Sequence, residues 1–140
     1  MKRTLLSTAI AAIISLLTLT SCQQEPADLI VGTWKLSNIN ISTAGIAMDV
    51  SPEVAGMDYT LTFAADGTCL VNIIEDGESI GITAFYAVGK GGEADLIHFT
   101  IEDETTTVIL TSLTDTTLVI TTNEQEDGNE ITTTMTFTRM

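Results

Sequence analysis

The chain has 140 residues, with 19 Asp and Glu against 5 Lys and Arg, a formal net charge of −14 and an apolar share of 44%. That length holds one domain and leaves little room for two, and the apolar share argues for a buried core over a disordered chain. So few basic residues exclude a phosphate-binding surface of the nucleic-acid kind. Lys2 and Arg3 open the chain as a short basic segment, and 4–19 is an uncharged run rich in Ala, Leu and Ile. The run falls short of the ~20 apolar residues a helix needs to span a bilayer comfortably, and no polybasic stop follows it. Residues 1–21 therefore read as an export signal. Without them, three basic residues face 19 acidic ones, a mature charge of −16.

Leu19, Thr20, Ser21 and Cys22 come next. They resemble the bacterial lipobox, in which small residues precede a cysteine that is acylated and becomes the new N-terminus. The resemblance implies palmitate-type chains on Cys22. Two or three such chains exceed the single-chain threshold for stable anchoring. The expected partner is then the membrane, and the expected address is the cell envelope. Gln23, where an Asp would signal inner-membrane retention in the enterobacterial pattern, implies the outer membrane. Residues 22–30 read as a short lipidated tether and 31–140 as the folded domain. With Cys22 acylated, Cys69 has no disulfide partner, and its apolar neighbours Leu70 and Val71 make it a small buried hydrophobe.

From Val31 onward, short β-like runs alternate with turn chemistry. The runs are 33–41, 59–63, 68–75, 80–88, 96–101, 106–113, 116–122 and 131–139. Between them lie Asp66 and Gly67, Asp76 and Gly77, a Gly-rich stretch at 89–92, Thr114 and Asp115, and Asp127 and Gly128. Gly, Asp and Asn tolerate the left-handed dihedrals of tight hairpins. In the last run, Ile131, Met135 and Phe137 share a face with Thr133, and Thr132, Thr134, Thr136 and Thr138 take the other. Tyr59, Leu61 and Phe63 alternate in the same way with Thr60 and Thr62. Such alternation predicts one buried and one solvated face. Eight such strands with short links predict an all-β fold, an antiparallel up-and-down eight-stranded barrel. The segment 42–57 is too long for a hairpin. Ser51 followed by Pro52 has N-cap and first-turn chemistry, which predicts a short helix near 52–56 in this long first loop.

Gly32, Thr33 and Trp34 open the first strand, and Arg139 lies near the end of the last. This resembles the lipocalin group, whose first strand begins G-x-W and whose final strand supplies an Arg packed over that Trp. Residues 59–67 and 113–118 also look like the small lipocalin-like domains of Bacteroidetes lipoproteins. The resemblance implies a lipocalin-like barrel closed by the pair Trp34 and Arg139. It departs from larger lipocalins in having no long C-terminal helix and no disulfide.

Little in the sequence points to catalysis, and the expectation is a protein that is not an enzyme. The single histidine, His98, lies in a strand beside Leu96 and Thr100, and no spacing supplies it with a nucleophile and an orienting carboxylate. One His and one unlipidated Cys argue against a zinc site. The acidic clusters at 75–78, 102–104 and 124–130 miss the calcium-loop pattern and fall where hairpin turns are expected, so they read as solvated turns. No metal and no cofactor is expected.

The barrel interior remains. Its predicted lining is Leu61, Phe63, Ile82, Phe99, Leu110, Ile120, Met135 and Phe137, with no charged residue on that face apart from Arg139 at the end. Two functions from different classes follow. One is a membrane-anchored lipocalin-like lipoprotein that binds a small neutral apolar ligand in the barrel. The other is a non-enzymatic surface or periplasmic interaction module with a solid core. It would meet a protein partner through its loops or an exposed patch at Ile46, Met48, Val50 and Val54.

Overall fold

The first strand and the last pair with each other, and that pairing closes the sheet. The computed structural model describes residues 25–93 and 95–140; the expected export signal 1–21 and the expected acylation site Cys22 lie outside the described residues. One turn of helix, α1 (Pro26–Leu29), leads into β1 (Gly32–Thr43), β2 (Ile46–Val50), β3 (Met57–Phe63), β4 (Thr68–Glu75), β5 (Glu78–Val88), β6 (Leu96–Ile101), β7 (Glu104–Leu113), β8 (Thr117–Glu126) and β9 (Asn129–Arg139). Each of β3 to β9 pairs antiparallel with the next, β1 pairs with β3, and β9 returns to β1. The result is an eight-stranded up-and-down barrel with β2 as a ninth strand hydrogen-bonded to the far half of β1.

Tight turns set the strand lengths. Ala44 and Gly45, Asp76 and Gly77, and Asp127 and Gly128 all have positive φ, the type I′ geometry whose twist matches that of the flanking strands. The ladders therefore run right up to these turns, with Glu75 opposite Glu78 and Glu126 opposite Asn129. On the outer face, threonines meet in cross-strand pairs, Thr111 with Thr121 at 2.7 Å and Thr100 with Thr105 at 3.0 Å.

Two expectations need correction. The helix predicted near 52–56 does not form. Ser51 does cap the turn there, its Oγ accepting from the Val54 N–H at 3.3 Å, but Gly56 at φ +68° ends it after one turn. Much of the long segment is instead β2, whose register with β1 runs from Ile39 opposite Val50 to Thr43 opposite Ile46. Residues 26–30, expected to belong to a tether, are part of the fold. Pro26–Leu29 is helical and Ile30 is fully buried. An apolar side chain at the barrel's end gains more from burial than from solvation, and this draws the segment into the fold.

The core lies towards one end. Trp34, Leu36, Phe63, Cys69, Ile97, Val108, Leu118 and Phe137 are buried there with Ile30. Phe63 meets Tyr86 edge-on at 4.9 Å and Phe99 at 6.0 Å. This closed end carries α1 and the β3–β4, β5–β6 and β7–β8 connections. The turns β1–β2, β4–β5, β6–β7 and β8–β9 mark the opposite, open end.

Candidate functional site

At the closed end, Trp34 and Arg139 face each other across the β1–β9 ladder, and the guanidinium carbon lies 4.2 Å from the indole ring centroid. Trp34 is fully buried and its Nε1 donates to the Ile30 carbonyl at 2.8 Å. Arg139 donates through Nε to the Asp115 carbonyl at 2.6 Å, through Nη1 to the Val31 carbonyl at 2.8 Å, and through Nη2 to the Leu29 carbonyl. Every guanidinium nitrogen therefore bonds a backbone carbonyl. The end is shut, and its cation is spent on structure.

Above it, the residues predicted to line the interior separate into two levels. Leu61, Phe63, Leu110 and Ile120 are buried among one another, in a part of the barrel that side chains fill. Ile82, Phe99 and Met135 lie higher, only partly buried, beside Ile39, Tyr59 and Ile73. Higher still, Ile80, opposite Ile73, and Ile101 are exposed by 52% and 43% although both continue the inward register. Solvent therefore reaches an apolar interior wall from the open end. β2 extends that wall. Ile46, Met48 and Val50 stand opposite Thr43, Ile41 and Ile39 and so share the inner face, with Ile46 72% and Met48 58% exposed.

The expectation of no inward charge other than Arg139 fails at the rim. Glu75 pairs with Met57, Glu104 with Ile101 and Glu124 with Ile131, and each continues the inward register. Glu75 ends a run predicted to 75, whereas β7 and β8 extend beyond their predicted runs and bring Glu104 and Glu124 to the mouth beside it. Among the described residues no Lys or Arg accompanies them there: Lys35 points outward to Asp58, Lys90 sits in the exposed β5–β6 connection, and Arg139 is at the closed end.

A gap in the barrel wall supplies a second feature. The β1–β3 ladder stops at Lys35 opposite Thr60, and the β1–β2 ladder begins at Ile39 opposite Val50. Leu36, Ser37 and Asn38 are left without a strand on that side, and Ser37 is also the bulge against β9, its Oγ donating to the Thr136 carbonyl at 3.0 Å. The chain at 51–56 arches away from the gap and frames a cleft of about 640 Å³. Leu36 and Met57, both inward by register, line it together with the outward Lys35, Asp58 and Ile74. A smaller cavity of about 320 Å³ lies at the rim between the β1–β2 and β8–β9 turns.

Three inward groups, Cys69, Tyr59 and Tyr86, are shifted towards their neutral forms. Burial pushes the Cys69 thiol up to about 12 and raises the phenols of Tyr59 and Tyr86. A thiol so placed is a poor nucleophile. On the outer face, His98 bonds Thr107 Oγ1 through Nδ1 at 2.8 Å and lies 3.4 Å from Glu93 through Nε2. Sequence spacing gave no sign of this trio. A strand pairing and a one-turn 3-10 segment bring it together, and neither of the two cavities described above includes it.

No family model matches the chain, and no curated protein matches it. Among solved structures, it is similar to the siderocalin Ex-FABP, described as functioning through dual ligand specificities. The identity is 14%, over 80% of this chain and 74% of that one, with a TM-score of 0.46. The barrel rests on its own ladders, which close independently of that likeness.

Proposed function

We propose that the protein is an envelope lipoprotein, held by acylated Cys22, whose barrel binds a small neutral ligand of mainly apolar surface at its open half. The observation that carries the reading is the contrast along the barrel axis. The lower interior is filled by side chains, and the upper interior presents apolar groups to solvent. Leaving such groups wet forgoes ~25 cal/mol per Å² of burial, which a ligand can recover. Anchoring fits the same geometry. Glu25, where the described chain begins, follows Cys22 by three residues, at most ~11 Å of extended chain. It enters at the closed end, so the open end would face away from the membrane.

The test is titration of the mature chain carrying Cys22→Ala with a neutral fluorescent naphthylamine probe. Saturable one-to-one binding is expected. Met135→Glu, placing a charge on the half-buried wall, abolishes it without loss of cooperative unfolding. Absence of saturable binding by the parent chain overturns the reading. The second reading, an interaction module, draws on the exposed apolar side chains of Val54, at 84%, and of Ile46 and Met48. It predicts that Val54→Glu removes a protein partner and that the parent chain shows no saturable probe binding.

A further inference from the structure

We propose that the lateral cleft between β1 and β3 is a separate binding site for an organic primary amine carrying an apolar chain. Three features of the cleft select that chemistry. The first is charge. Glu53, Asp58 and Asp76 line it against a single cation, Lys35. An anion entering it meets net repulsion, and a cation meets net attraction.

The second is an acceptor without a donor. Lys35 Nζ lies 3.5 Å from Asp58 Oδ2, while Asp58 Oδ1 is shut off from water with no hydrogen-bond partner. Buried polar atoms in folded proteins are nearly always satisfied, so an orphan marks a place where a donor belongs. The Lys35 contact is long, and both side chains are about half exposed, the kind of surface pair that contributes little and is readily exchanged. An incoming ammonium has three donors to offer the Asp58 carboxylate. A quaternary ammonium has the charge but no donor.

The third is the floor. Leu36, Met57 and Ile74 give the cleft an apolar base, and the volume of about 640 Å³ falls within the ordinary range for small-molecule sites. The break in the β1–β3 ladder keeps it open, because no strand fills the edge at Leu36, Ser37 and Asn38. An amine would set its nitrogen among the carboxylates and its chain along these three side chains.

The experiment compares decylamine, decyltrimethylammonium and decanol on the full mature chain by calorimetry at neutral pH. The expected order places the primary amine first, with one saturable site. Glu53→Gln with Asp76→Asn should weaken the amine about tenfold, since two nearby charges are removed. Both side chains are exposed, and Asn is well suited to the positive φ of residue 76, so the fold should survive. Glu104→Gln with Glu124→Gln removes the same charge from the rim and should leave the amine within twofold. Equal weakening by the two double variants, or amine binding no tighter than decanol, overturns the site. Neither outcome bears on the neutral probe at the open end, which tests the barrel reading separately.

Discussion

Arg139 lies across Trp34, with its guanidinium carbon 4.2 Å from the ring centroid, and the two residues are direct partners in the ladder that closes the barrel. The contact joins the chain's first strand to its last. Its three carbonyl partners, on Leu29, Val31 and Asp115, add the N-terminal segment and the β7–β8 turn to the same point. Gly32 sits directly beneath. A Cβ there would collide with the Arg139 Nη1, so the G-x-W glycine leaves room for the guanidinium.

Arg139→Ala should cost about 3 kcal/mol, the sum expected for a cation–π contact and charged hydrogen bonds that are partly replaced by water. Arg139→Lys should recover less than half of it, because an ammonium cannot reach three carbonyls as a planar fork does. Urea unfolding followed by Trp34 fluorescence reads both. Equal stability of the parent and the Ala variant would show that the closed end holds without this residue.

Ala44 has φ +50° in a type I′ turn, a conformation that Asn adopts far more readily than Ala. Ala44→Asn should stabilise the protein by about 0.5–1 kcal/mol with no effect on ligand binding. A shifted urea midpoint with unchanged slope is the signature.

Cys69 is fully buried and its thiol is pushed from 9.0 up to about 12 by desolvation. Above pH 9 the unfolded chain loses this proton while the native chain keeps it, so the native state binds more protons and stability falls as pH rises. The contribution is whole below pH 9 and disappears between about 9 and 12. At pH 10.5 the loss should reach about 2 kcal/mol, with Tyr59 and Tyr86 acting in the same direction. Cys69→Val should flatten the alkaline slope, and the native thiol should resist aromatic disulfide reagents at pH 8.

Cys22→Ala should abolish acyl labelling and release the protein from the detergent-extracted membrane fraction. Retention and labelling unchanged by that substitution would remove the lipoprotein reading and leave the barrel untouched.

The barrel was legible because strict alternation fixes a face: Thr132, Thr134, Thr136 and Thr138 outside leave Met135 and Phe137 no place but inside. The turn residues were legible for an equally local reason, since Asp76 with Gly77 and Asp127 with Gly128 carry their dihedral preference in their own chemistry. The filling of the interior was not legible. Leu61 and Ile82 look alike in sequence, and only their height in the staggered barrel makes one solid core and the other half-wet wall. The lateral cleft was hidden too. It depends on where one ladder stops and another starts along β1, a long-range register that no local signal encodes.

That register also decides which ligand charge the open half accepts. An unpaired carboxylate carried into an apolar interior is costly, and proteins that bind fatty acids in such a site need a basic group inside. Among the described residues here, Lys35 is turned outward onto Asp58, Lys90 is in an exposed connection, and Arg139 has its nitrogens on backbone carbonyls. A fatty-acid anion entering at the open end would instead pass Glu75, Glu104 and Glu124. With the acyl-free Cys22→Ala chain at neutral pH, a long-chain fatty acid should bind at least tenfold more weakly than its methyl ester. Added salt should narrow the gap, because the rim carboxylates are exposed and their repulsion is screened over ~8–10 Å at physiological ionic strength. Glu104→Gln with Glu124→Gln should narrow it further and leave the ester unaffected. Tighter binding of the free acid than of the ester would mean that a cation reaches the interior after all, and the neutral-ligand reading would fall with it.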